Sequence, residues 1–297
     1  MKKMTKFFAL ALLAGAMVSC STEDTAPSTQ NDKVAVQFTG GISVNTRAAG
    51  LAWADGDMIG IFMTGTKQPL SADAIQEGVD NVCYQSNGSI GFSPVSGGKT
   101  VFFPIDGDVD FYSYYPQTTV NDYKVALDVT YQTKQEAIDF MYAKTEGCNK
   151  ATPQVFLKFY HKLSNLVLDV QPGNGLTQED LKKMTVTVKG QNTKATFNLA
   201  DGTISGEGNP TDIKMKTTQA GKLYEAILLP TEEASRVIEF DLNNGYDAPF
   251  VWTMPAKLES GKRYHYTVVK LSRSAVDISG NIEPWIKAGD DNEHIAQ

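Results

Sequence analysis

The stretch Lys33-Val-Ala-Val-Gln-Phe-Thr-Gly-Gly-Ile-Ser-Val-Asn45 carries its large apolar side chains at even positions only: Val34, Val36, Phe38, Ile42 and Val44. Gly40 fills the one gap in that series, and Lys33, Gln37, Thr39, Ser43 and Asn45 stand at odd positions. Successive side chains of a strand point to opposite faces, so a period of two predicts a strand with one buried face. The Gly40-Gly41 pair predicts a bulge or bend within it. Burying five such side chains contributes about 8–15 kcal/mol at most, comparable to the net stability of a whole domain. Losing the strand would therefore leave a groove in need of another occupant. The same pattern also fits an ordinary, permanent first strand of a β-sandwich.

On the N-terminal side lies a polar segment, Ser21–Asp32, without apolar periodicity, which has the composition of a solvated tether. Before it, Lys2, Lys3 and Lys6 open a basic start and Phe7–Val18 is nearly all apolar. Residues 1–19 thus form an export signal rather than a spanning helix. Met17-Val18-Ser19-Cys20 resembles a bacterial lipobox, which makes Cys20 the expected lipid carrier and 20–32 a lipidated tether; a plain signal peptide with a chance cysteine is the alternative. Glu23 and Asp24 resemble the acidic surface-export signal of Bacteroidales lipoproteins.

Composition narrows the function. With 41% hydrophobic residues over 297 positions the chain can bury a core, and at usual domain sizes it makes two domains. Past residue 19 it carries 24 basic against 34 acidic residues, which argues against a nucleic-acid partner. Three Cys and three His are too few for a disulfide scaffold or a multi-ligand zinc site. No GxSxG, HExxH or P-loop is present, so neither an enzyme nor a cofactor is expected.

The body reads as all-β. Short alternating or β-branched runs occur at Met58–Met63, Thr100–Phe103, Val109–Tyr115, Lys124–Val129, Val155–Val170, Met184–Val188, Ala195–Leu199, Lys222–Leu229, Val237–Leu242 and Arg263–Leu271. Turn pairs such as Asn87-Gly88, Asp201-Gly202 and Asn244-Gly245 separate them. Only Leu70–Gln76, Lys134–Asp139 and Thr177–Lys183 resemble short helices. This is a sandwich pattern, divided near Gly147–Pro153 into an N-terminal β-sandwich domain (33–150) and a C-terminal one (151–297).

Seven patches occur in one order: Trp53-Ala-Asp-Gly-Asp57-Met-Ile-Gly-Ile-Phe62, Tyr112-Ser-Tyr-Tyr-Pro116, Asp139-Phe-Met-Tyr-Ala143, Phe159-Tyr-His161-Lys-Leu-Ser164, Ile227-Leu-Leu-Pro230, Gly261-Lys-Arg-Tyr264 and Ile282-Glu-Pro-Trp285. Together, from about residue 33 to 287, they resemble the fimbrillin family, the pilin subunits and related lipoproteins of Bacteroidales type V pili. The resemblance implies two transthyretin-like β-sandwich domains, lipoprotein export to the outer membrane, cleavage after an arginine and polymerisation by donor-strand exchange. Thr46-Arg47-Ala48-Ala49-Gly50 is small and polar enough to lie in an exposed loop. An Arg-specific protease of the kind the resemblance implies would cut between Arg47 and Ala48, making 33–47 a removable first strand.

A candidate donor lies in 274–287, where Val276, Ile278, Ile282 and Ile286 share even parity and Gly280 fills the matching gap. Setting Gly280 on Gly40 puts Val276 on Val36, Ile278 on Phe38 and Ile282 on Ile42, while Ser274 and Pro284 fall on Val34 and Val44. An extended segment of this kind can add to an open sheet edge, or it can be an edge strand of its own domain.

Other constellations carry less. Asp106-Gly-Asp108-Val-Asp110 has the opening spacing of a calcium loop, but Phe111 stands where glycine is required, so a turn is the expectation. His161 shares a face with Leu157, Phe159 and Leu163, as a core histidine does. Tyr112, Tyr114 and Tyr115 could stack on sugar rings, although alternation sends some of them inward. Cys83 and Cys148 can be bridged or free. Two functions fit: a structural and adhesive subunit of a surface fimbria, with other subunits and host or bacterial surface glycans or proteins as partners, or a monomeric glycan-binding surface lipoprotein.

Overall fold

Alternation becomes hydrogen-bonded strand along most of the chain in the computed structural model, which describes residues 33–42, 53–272 and 275–285. The N-terminal half supplies β1 (Gln37–Ile42), β2 (Asp55–Gly65), β3 (Val82–Asn87), β4 (Phe92–Pro94), β5 (Val109–Tyr115), β6 (Lys124–Asp128) and β7 (Met141–Cys148). Next come β8 (Gln154–His161), β9 (Ser164–Pro172), β10 (Thr185–Asn198), β11 (Thr203–Lys214), β12 (Lys216–Gln219) and β13 (Leu223–Leu228). The last four are β14 (Arg236–Asp241), β15 (Phe250–Met254), β16 (Lys262–Ser272) and β17 (Ala275–Pro284).

Three sheets result, and the protein is all-β. The first has the order β1-β8-β7-β5-β2-β3-β4. The second runs β11-β10-β14-β15, with β6 joined to β10, and the third runs β12-β13-β9-β16-β17. The division expected near residue 150 falls between β7 and β8, which are antiparallel neighbours in the first sheet. β6, from the first half, crosses over to pair with β10, Leu127 opposite Ala195.

The helical expectations shrink. Leu70–Gln76 and Lys134–Asp139 contain only the single 3-10 turns Ala72–Ala74 and Gln135–Ala137. Thr177–Lys183 holds a one-turn helix, Gln178–Leu181, closed by a reciprocal cap: Thr177 accepts from the Asp180 amide, and Asp180 accepts from the Thr177 amide. The run Val155–Val170 is two strands rather than one. At the break, Lys162 N donates to Phe140 O in the first sheet, while Gly261 N donates to Leu163 O beside the third. The chain changes sheet there, so one apolar run serves two cores. Met184–Val188 and Ala195–Leu199 are instead the two ends of the bulged strand β10.

β5 shows how the cores divide. All seven of its residues are buried, and period-two geometry splits them. Val109, Phe111 and Tyr115 enter one apolar cluster with Val36, Phe38, Ile42, Trp53 and Phe159. Tyr112 and Tyr114 enter the other, with Phe140, Leu166, Phe197 and Phe240.

Candidate functional site

The alternating stretch at the start of the described residues sits between two neighbours. On one side β1 runs parallel to β8, Phe38 opposite Val155 and Ile42 opposite Phe159. On the other, Val36 N donates to Val101 O, Phe103 N to Val34 O and Gly40 N to Ile90 O, with an antiparallel bridge between Thr39 and Gly91. Both edges of the stretch are therefore satisfied, and its removal would strand two rows of backbone groups.

Its side chains enter the first core as the period predicts. Val36, Phe38 and Ile42 are buried, and Val34 packs partly buried at the margin. The Phe38 ring meets Tyr84 and Phe111 edge-on, with centroids 5.2 and 5.1 Å away. Burial raises the Tyr84 phenol above its ordinary range, and its oxygen accepts from Val101 N at 2.9 Å. Trp53 reaches back across the strand and donates its indole N–H to Gly40 O at 3.0 Å.

Gly40 marks the tightest point. A Cβ there would lie 3.0 Å from the Phe92 ring, 3.1 Å from Leu157 O and 3.3 Å from the Phe159 ring. Trp53 packs on both rings, at 5.2 and 4.9 Å, so neither can swing away freely. Gly40-Gly41 reads in sequence as a bulge or bend; the parallel register with β8 runs unbroken through both glycines, so no bulge forms. The requirement at Gly40 is space.

The candidate donor is the last strand, β17, antiparallel to β16 at the edge of the third sheet. Val276 faces Leu271 in register, Ile278 faces Val269 and Ile282 faces Tyr264. Val276 packs partly buried against the second core, whereas Ile282 is 54% exposed. Among the described residues β17 has one strand neighbour. Beyond it Trp285 is buried, its ring stacked on His161 at 4.2 Å and its amide donating to Gly261 O. Cys20, Val44, Arg47, Ala48 and Ile286 lie outside the described residues.

The weaker candidates resolve into structure. Asp110 is fully buried and accepts from Thr66 Oγ1, Lys67 N and Gly147 N at 2.8–3.1 Å, which ties β2, β5 and β7 together. Asp108 accepts from Asn149, so the acidic run is a braced turn. His161 is a core residue whose Nδ1 lies 2.7 Å from Asp139 Oδ1. Tyr112, Tyr114 and Tyr115 are all buried and offer no face to a sugar. Cys83 and Cys148 are free thiols on β3 and β7. The aromatic roof of Trp53, Phe92 and Phe159 went unread in the sequence as a part of this site. Its only sequence signal was aromatic residues scattered over three distant segments.

Comparison with known proteins finds a family model described as "Fimbrillin-like" matching residues 46–285. A Bacteroides uniformis protein named "Putative fimbrium subunit Fim1C" is 33% identical over 296 residues, covering 93% of each chain. A crystal structure of a "putative cell adhesion protein" from Bacteroides uniformis superposes with a TM-score of 0.73 at 31% identity, over 86% of this chain and 99% of that one. Another, from Bacteroides ovatus, gives 0.69 at 26% identity over 86% and 98%.

Proposed function

The chain belongs to the fimbrillin-like family, and on that footing we propose that it is exported as a lipoprotein on Cys20, cut after Arg47, and joined to its neighbour by exchange of its first strand. Family membership makes it a structural, non-enzymatic protein of surface fimbriae that associates with other fimbrial subunits. In the proposed route the Cys20 lipid holds the precursor at the outer membrane. An Arg-specific protease then cuts between Arg47 and Ala48, and residues 33–47 leave. The 274–287 segment of a neighbour enters in their place, so the first sheet receives and the third sheet donates. The adhesive target is a host or bacterial surface glycan or protein.

What supports exchange is the two-sided setting of β1: hydrogen bonds to both neighbours and three buried apolar side chains, a few residues before Arg47 in sequence. A groove of that kind is filled by any strand that supplies backbone ladders and apolar residues at alternate positions. β17 has that pattern, and it ends the third sheet, where leaving breaks a single ladder.

N-terminal mass spectrometry of protein shed with fimbriae tests the route. The mature chain is expected to begin at Ala48, and Arg47→Ala to accumulate as an unpolymerised precursor. Normal polymers built from the Arg47→Ala chain would overturn the maturation step and, with it, the removal of β1.

A further inference from the structure

We infer that the slot at Gly40 sets the register of the incoming strand, and that Gly280 of a second copy of this chain is the residue that fills it. The inference rests on the strand-exchange reading and specifies it: a partner strand must bring a residue without a side chain to one defined position.

Apolar parity alone leaves the register open. A slip of one residue turns every apolar side chain outward and is excluded by the pattern, but a slip of two keeps the parity. In the groove, a two-residue slip of 274–287 would bring Ile278 or Ile282 to the Gly40 position. A Cβ there would be crowded, with Phe92, Phe159 and the Leu157 carbonyl at 3.0–3.3 Å, so these neighbours would have to give by a few tenths of an ångström. The carbonyl belongs to the neighbouring strand and cannot rotate aside, and Trp53 buttresses both rings. Gly40 is not among the positive-φ glycines, so its backbone suits any residue and only space demands glycine.

Gly280 also lies outside the positive-φ set. In its own sheet a Cβ at 280 would stand 2.4 Å from the Tyr266 ring and 2.8 Å from Tyr266 Cα, beside the register shift between His265 and Val268. The two sites thus require the same residue for separate steric reasons. One glycine serves the strand at home and in the groove.

A peptide separates these demands, since it never meets Tyr266. The full-length chain carrying a specific protease site between Arg47 and Ala48 is cut and then incubated with excess peptide of residues 274–287, and release of the fragment ending at Arg47 is followed by mass spectrometry. The wild-type peptide is expected to displace it, and a peptide with Gly280→Ala to do so about tenfold less effectively or worse. A Ser279→Ala peptide, altered on the opposite face, should match wild type. Chain carrying Phe92→Ala, with one wall of the slot removed, should recover part of the loss for the Gly280→Ala peptide. Equal displacement by the wild-type and Gly280→Ala peptides overturns the register assignment and leaves strand exchange standing. Failure of the wild-type peptide to displace the fragment overturns both.

Discussion

Cys148 sits at the end of β7, where burial, together with the carboxylates of Asp110 and Asp108, pushes its thiol up to about 11 from an ordinary 9.0. The thiolate is the reactive form, so Cys148 in folded protein should be alkylated far more slowly at pH 7.5 than after unfolding. Timed iodoacetamide labelling with and without denaturant reads this directly, and equal rates would contradict it. The sign for stability follows from the neutral form being favoured by folding. Below about pH 9 the contribution of this group is constant, and as pH rises from about 9 towards about 11 the unfolded thiol ionises first, so stability falls. Replacing Cys148 by Ser should flatten that part of a pH–stability curve. The sequence presents Cys148 only as a cysteine. Its chemistry comes first from burial in the fold and then from Asp110, 38 positions away in sequence and held in place by Thr66, Lys67 and Gly147.

At the scale of elements, β1 and β17 carry the same pattern and differ in their surroundings. Phe38 in β1 meets two aromatic rings edge-on inside a closed core, so Phe38→Ala should destabilise the uncut chain by about 3–5 kcal/mol. If the strand leaves as proposed, the same substitution should have no effect on the polymer, because residue 38 would no longer be part of it. Melting curves of precursor and of assembled fimbriae distinguish these cases; an equal loss in both would mean that β1 never leaves. For β17 the test runs the other way. Ile278→Asp should place a charge in an apolar groove and suppress assembly, while Asp277→Asn, of opposite parity, should leave it near wild type. Sedimentation of fimbriae made from each variant reads the difference, and comparable assembly of the two would exclude this segment as donor. Sequence parity identified both strands. That β1, which ends its sheet on β8, is also bridged on its outer side was set by Val101 and Ile90, residues far from it in sequence, whereas β17 among the described residues pairs with β16 alone.

Across the whole molecule, the sheets are bound together by a crossover and a buried amide. β6 continues the first half of the chain but pairs with β10. Just after it, Gln132 is buried; its amide nitrogen donates to Val129 O and Ile227 O, and its oxygen accepts from Ile227 N. Truncating it leaves these backbone groups unpaired in an apolar setting, at about 1–3 kcal/mol. Calorimetry of the wild-type protein should therefore show one cooperative transition, and Gln132→Ala a lower and broader one that begins to separate. Two resolved transitions in the wild type would show that the crossover does not couple the sheets. Nothing in Thr130-Tyr-Gln132-Thr-Lys134 distinguishes this glutamine from a solvent-exposed one, because its partners on β13 are 95 positions away.

Local chemistry was enough to read the all-β character, the buried face of 33–42 and the alternation in 275–285, because a side-chain period of two is written into consecutive residues. The break of Val155–Val170 into two strands, the polar strand β11 and the crossover of β6 were decided only by pairing. In β11, Thr-Ile-Ser-Gly-Glu-Gly-Asn-Pro-Thr-Asp-Ile-Lys214, almost every side chain is at least partly exposed, and the strand exists through its ladder with β10. The slot at Gly40 belongs with these. A glycine reads the same in sequence whether it serves a turn, a bulge or a tight approach, and only the positions of Phe92, Leu157 and Phe159 in the folded chain make this one a matter of space.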